Sequence, residues 1–182
     1  MKKRLVLLPL LFCLLLSACG SAALDRFEAF SAKLNQAEAL SFTAELTALY
    51  PDRAARFSLR YSQEDGVQRV TILGPDSISG ISARVEAGSS ALEYDGLILD
   101  TGDLDAFGLT PMSALPLLAD ALARGHADAF WTEEDLDAVE LLYDDFTRVR
   151  AWFDAEGLPC RAEIQCGDRV TVSCEIKNWS MK

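Results

Sequence analysis

The chain has 182 residues, half of them hydrophobic and a quarter charged, a composition that suits one globular domain with a sizeable core and excludes a disordered or low-complexity chain. With 17 Lys and Arg against 28 Asp and Glu, its formal charge is -11, so its surface repels phosphate backbones and nucleic acid is excluded as a partner. A lone histidine, His126, confines any histidine-dependent catalysis to one position.

The chain opens with Met1-Lys2-Lys3-Arg4, runs apolar from Leu5 to Leu16 and then reads Leu16-Ser17-Ala18-Cys19-Gly20. A basic start, a short apolar stretch and small residues before a cleavage point make an export signal, and this apolar stretch falls short of the roughly 20 residues that span a bilayer. The cysteine directly after Leu-Ser-Ala resembles the lipobox of bacterial lipoproteins. That resemblance implies that residues 1–18 are a signal peptide and that the thiol of Cys19 carries a diacylglyceryl group with palmitate-type chains. The protein is then anchored to the outer face of the cell membrane, or to an outer membrane if its host has one. Burial of acyl chains contributes about 0.8 kcal/mol per methylene, and two chains suffice for stable residence. Residues 19–23 form the expected tether; the four that follow the cysteine reach at most about 14 Å. Loss of Lys2, Lys3 and Arg4 takes the formal charge to -14, so the domain of residues 24–182 is expected to stand over its membrane in solvent.

Leu24, Phe27, Phe30, Leu34 and Ala37 recur at helical spacing between charged residues and predict an amphipathic helix. From Leu40 the period becomes two, with Phe42, Ala44, Leu46 and Ala48 on one face and Ser41, Thr43, Glu45 and Thr47 on the other. The segment 56–61 repeats the alternation, Asp65-Gly66 supplies a turn, and Val70 and Ile72 continue on a third strand of an antiparallel meander. Asp95-Gly96, between Leu92 and the apolar run 97–99, predicts a type I′ hairpin because that turn needs two positive φ angles. Thr110 then reads as an N-cap and Pro111 as the first helical residue, with Met112, Leu115, Leu118 and Leu122 on one face and Gly125 as the stop; Pro116 either kinks this helix or limits it to its later turns.

Strands return at the end. Thr147, Val149, Ala151 and Phe153 form one stripe, Asp154-Ala155-Glu156-Gly157 a turn, and the even-numbered residues from Cys160 to Cys166 and from Val170 to Ile176 the last two stripes. The count is ten or eleven strands and two helices, an α+β fold dominated by one antiparallel sheet.

The segment Val149-Arg150-Ala151-Trp152-Phe153-Asp154-Ala155-Glu156-Gly157-Leu158-Pro159 and the final strand Cys174-Glu175-Ile176-Lys177-Asn178-Trp179 resemble the LolA/LolB-type lipoprotein-localisation fold. The resemblance implies a strongly curved sheet forming an incomplete barrel, covered by an N-terminal helix and a central helical insertion, with an apolar concavity for acyl chains. The chain is also similar to GerS-type clostridial lipoproteins, which share this fold class and act as partners of a peptidoglycan amidase.

No catalytic set assembles. His126 follows Gly125 at a helix end without a G-x-S-x-G elbow, and Ser31-Ala32-Lys33 is one residue short of S-x-x-K. Cys160, Cys166 and Cys174 lack C-x-x-C spacing, and neither Glu133, Glu134, Asp135 and Asp137 nor Asp100, Asp103 and Asp105 follow the calcium-loop order, so they read as solvated acidic faces. Three thiols cannot all pair within one chain, so at least one is expected free and buried; Cys160 and Cys174 can oppose one another in only one of two registers. Phe42, Leu46, Phe57, Leu59, Tyr61, Val70 and Ile72 lie on the apolar stripes of consecutive strands and are the candidate ligand lining, although the same periodicity suits a filled core. The expected function is non-enzymatic and cofactor-free: a membrane-tethered lipoprotein that holds a lipid or other amphiphile in a half-barrel. The alternative is an adaptor for a cell-envelope enzyme. A cavity wide enough for an acyl chain favours the first, and a filled core with an exposed apolar patch or open sheet edge the second.

Overall fold

The computed structural model describes residues 21–86, 89–102 and 109–182. Cys19, Asp103 and Asp105 lie outside them. Helix α1 (Ser21–Gln36) is followed by β1 (Ala39–Leu49), β2 (Ala54–Glu64), β3 (Val67–Gly74), β4 (Ser82–Glu86), β5 (Ser89–Tyr94) and β6 (Leu97–Gly102). Helix α2 (Pro111–Arg124) leads into β7 (His126–Glu133), β8 (Leu136–Leu142), β9 (Thr147–Phe153), β10 (Pro159–Cys166) and β11 (Arg169–Met181).

All eleven strands join one antiparallel sheet in the order β6-β5-β4-β3-β2-β1-β11-β10-β9-β8-β7. Each half is a meander, and the halves meet where the first strand pairs with the last, Ala44 facing Ile176 and Leu46 facing Cys174. Among the described residues the sheet does not close: β6 and β7, consecutive strands apart from α2, are its two edges. This is the open, curved half-barrel expected from the sequence.

Tight turns set the register. Asp65-Gly66 and Asp95-Gly96 both take positive φ at each residue, as type I′ hairpins require. Gly167 opens the β10–β11 hairpin at φ +60°. That two-residue turn pairs Cys166 with Arg169 and Gln165 with Val170, which by parity would set the even stripe of β10 against the odd residues of β11. One extra residue, Thr171, restores the match: Ile164 faces Val172 and Ala162 faces Cys174. The Thr171 hydroxyl donates to the Ile164 carbonyl at 3.0 Å. Val170 therefore leaves the core stripe in which its even number had placed it. A second irregularity, between Ser41 and Thr43 where β1 meets β11, accompanies Asn178 at φ +59° and brings odd-numbered Trp179 and Met181 against the core.

Both helices lie in the concavity. Helix α1 starts at Ser21, three residues before the first periodic apolar position, and buries Ala23, Phe27, Phe30 and Leu34. It packs on β7, β8, β9 and α2. Arg26 fixes its N-terminal half, pairing with Asp137 at 2.9 Å and donating to the Asp154 carbonyl at 3.2 Å. Helix α2 runs from Pro111 through Pro116 to Arg124, with a reciprocal capping box between Thr110 and Ser113, and packs on β2, β3, β8 and β10. It ends where Gly125 turns extended, at φ -61° and ψ 145°, a position held by glycine because a Cβ there would sit 2.4 Å from the Ala121 carbonyl oxygen. His126 is exposed and is the first residue of β7.

Candidate functional site

The candidate lining residues converge. Phe42 faces Tyr61, Leu46 faces Phe57, Tyr61 faces Val70 and Leu59 faces Ile72, all on the concave face. There they form the floor on which the helices pack: Phe30 of α1 and Leu115, Leu118 and Leu122 of α2 belong to the same buried cluster. Phe57 alone of the seven is only partly buried. Aromatic rings run through the cluster, Phe42 stacking on Tyr61 at 5.0 Å between centroids and lying 4.3 Å from Trp179, with Phe30 meeting Trp179 and Phe153 edge-on. The Tyr61 hydroxyl donates to Gln63 at 2.9 Å, and burial pushes its ionisation well above the ordinary phenol range.

The row does not end under the helices. In register it continues Phe42–Tyr61–Val70–Ala83–Leu92–Leu99, crossing six strands. Exposure is 1% at Phe42, 0% at Ala83 and 65% at Leu99. Beside it, Tyr94 and Leu97 face one another and are exposed as well. The helices' main contacts are with β2, β3 and β7 to β10, so β4–β6 extend the apolar face beyond them. Ile98 projects from the opposite face and is 73% exposed. Sequence reasoning had used Asp95-Gly96 only as a turn. The signal for exposure lay next to it: three consecutive apolar residues in a strand cannot all face one core.

The other singled-out residues have separate partners. On the outer face, the indoles of Trp131 and Trp152 both donate to one Glu133 oxygen, at 3.3 and 2.9 Å, and Arg161 stacks 4.2 Å over Trp152. These contacts, the Trp152 hydrogen bond foremost, hold the Glu133 carboxyl below its usual range. Asp137 is taken up by Arg26 on the inner face, and Glu134 lies 3.5 Å from Arg161. Nearby, Glu140 is raised by its burial but lowered further by hydrogen bonds from Arg150 and Arg148, so its net shift is downward. Cys160, Cys166 and Cys174 are all free thiols, Cys174 buried opposite Ala162 rather than opposite Cys160.

No known family profile and no curated protein matches the chain. Solved structures similar to it include an uncharacterized conserved protein of Thermus thermophilus, 12% identical over 89% of this chain and 86% of that one, with a TM-score of 0.49. A LolA-superfamily protein of Nitrosomonas europaea is 11% identical over 88% and 93% of the two chains, with a TM-score of 0.47. The lipoprotein LppX of Mycobacterium tuberculosis is 10% identical over 87% and 95%, with a TM-score of 0.45.

Proposed function

We propose that the protein is an exported lipoprotein, anchored through Cys19, whose half-barrel binds the apolar part of an amphiphile without chemical turnover. The observation that carries this reading is the concave row that runs from buried Phe42 to exposed Leu99: the exposed apolar patch, which by itself would favour an adaptor, lies on the concave face in continuity with the core, where an acyl chain can be laid. An acyl chain laid on Leu92, Tyr94, Leu97 and Leu99 would extend the existing core outward, at about 25 cal/mol per Å² of apolar surface removed from water. The residues first expected to line the site, Phe42 to Ile72, would then support the ligand from beneath, and the contact would fall on β5 and β6. An environment-sensitive fatty-acid probe should bind the lipid-free protein saturably, and Leu97→Glu with Leu99→Glu should weaken it about tenfold or more, since a carboxylate cannot be buried unpaired at such a contact. Absence of saturable binding, or binding indifferent to both changes, would sink the carrier reading.

The adaptor reading has its own supporting observation, the open edge of β6. Under it, the anchored domain holds a cell-envelope enzyme, such as a peptidoglycan amidase, at the membrane surface.

A further inference from the structure

Strand β6 is an edge with none of the usual protection along its first half. Natural edge strands are blunted by lysine, proline, bulges or inward charges, because their unpaired amides and carbonyls recruit other strands. Leu97, Ile98 and Leu99 carry no charge and no proline, and the ladder irregularity on this strand comes only after them, opposite Ser90 and Ala91. The opposite edge is different: β7 carries His126, Asp128 and Glu133, and Asp128 is paired with Arg148.

The hairpin geometry says which backbone groups are offered. Tyr94 and Leu97 flank the two-residue Asp95-Gly96 turn and therefore exchange both hydrogen bonds. Alternation then turns the amide and carbonyl of Leu99 toward β5, and those of Ile98 and Asp100 outward. Among the described residues, nothing pairs with β6 on that side.

Charge and position narrow the occupant. Asp95 and Asp100 bracket the apolar run and are both exposed. A second copy of this chain would bring its own Asp95 and Asp100 into the same contact, between two molecules of formal charge -14 each once the leader is removed. The bilayer is also disfavoured. Helix α1, which follows the tether, packs against β7, β8 and β9, at the other margin of the sheet. Ten strand intervals of about 4.8 Å separate the two edges along the curved sheet, roughly 48 Å.

We infer that β6 is a docking strand for an extended, basic segment of a partner protein, which adds to the sheet as a twelfth strand through Ile98 and Asp100 and places Lys or Arg beside Asp95 and Asp100. This deepens the adaptor reading and rests on it. The partner's main chain would supply affinity, and its alternate side chains would meet Leu97 and Leu99 on one face and Ile98 on the other.

The test uses the processed protein, in phosphatidylcholine nanodiscs or, if Cys19 bears no lipid, in buffer. The probe is a fluorescent peptide of alternating valine and threonine with lysine at both ends, alongside the same peptide with glutamate ends and one N-methylated at alternate amides. The lysine peptide should bind and slow hydrogen exchange at the Ile98 and Asp100 amides; the glutamate and N-methylated peptides should bind about tenfold or more weakly. Ile98→Pro should abolish binding without loss of fold, because the amide it removes points away from the ladder. Asp100→Lys should shift the preference from lysine toward glutamate ends, with Asp95 kept because its positive φ suits the hairpin turn. Protection mapped away from β6, equal binding of the three peptides or binding unchanged by Ile98→Pro would overturn the inference. So would no binding, a β6-mediated dimer, or β6 protected by the nanodisc alone. Crosslinking in the host from positions remote from β6 tests separately whether the protein has any protein partner, so the adaptor reading can survive failure at this edge.

Discussion

Cys174 lies in the seam of the sheet, facing Leu46 on one side and Ala162 on the other, and burial pushes its thiol up to about 12 from an ordinary value of 9.0. The unfolded chain ionises this thiol near 9 and the folded chain resists until about 12. Folding stability is therefore fully present below pH 9 and declines as pH rises from there toward 12. Urea denaturation should show that decline, with a shallower slope in Cys174→Ala. At neutral pH the same change should cost about 1–2 kcal/mol for a small void. Alkylation at pH 8 should leave Cys174 unmodified in the folded protein and reach it after unfolding; equal labelling of all three thiols in the folded state would refute the placement. Tyr61, also raised by burial, adds to the alkaline loss in the same direction.

At the scale of elements, Thr171 gives a sharper prediction than any core residue. Deleting one residue from a central strand ordinarily flips every side chain beyond it to the wrong face. Here the deletion should be tolerated, because without Thr171 the two-residue turn becomes a regular hairpin that still pairs Ile164 with Val172 and Ala162 with Cys174. The expected loss is about 1 kcal/mol, the scale of the hydrogen bond from its hydroxyl, measured by urea midpoint; failure to fold would show that the bulge does more than correct parity. The case also separates what periodicity records from what it does not. Alternation gave the inward faces of β1, β2 and β9, Asp95-Gly96 gave its hairpin, and Thr110-Pro111 with Gly125 gave the limits of α2. Bulges break the alternation without announcing themselves in composition, so Val170 left its expected stripe and Trp179, beyond the end of that stripe, joined the core unforeseen. Trp152 is buried on the outer face because Arg161 and Trp131 cover it, a contact between strands that no single-strand pattern carries. The candidate stripe from Phe42 to Ile72 was legible as a face; that two helices rest on part of it and not on Leu99 depends on where helices go, which strand periodicity does not encode.

On the scale of the molecule, an acidic domain follows a leader proposed to end just before Cys19, the proposed anchor. Cys19→Ala should abolish both lipid attachment and signal removal. Metabolic labelling with a fatty acid, together with the mass of the mature N-terminus, checks this; label retained by the alanine variant, with membrane fractionation unchanged, would show the assignment to be wrong. The domain itself should bring little membrane affinity, given its charge, so whatever membrane association the unprocessed variant keeps should rest on its retained apolar leader.

The pairing of β1 with β11 bears on how such a molecule comes into being. Synthesis proceeds from the N-terminus, and β1 must wait for one of its two neighbours until β11 has been made. The Lys182 carbonyl accepts from Glu38, and the Lys182 amide donates to Ala39, so the residue that follows β11 is hydrogen-bonded to the start of β1. Joining them requires closure of a loop that contains nearly the whole domain, an entropic barrier that favours slow folding. Until β11 pairs with β1, each of these strands lacks its partner at the seam, leaving a raw edge of the kind that invites aggregation. The 13-residue strand β11 is thus the clasp of the structure, and a polypeptide interrupted before Arg169 would have nothing to hold its two half-sheets together.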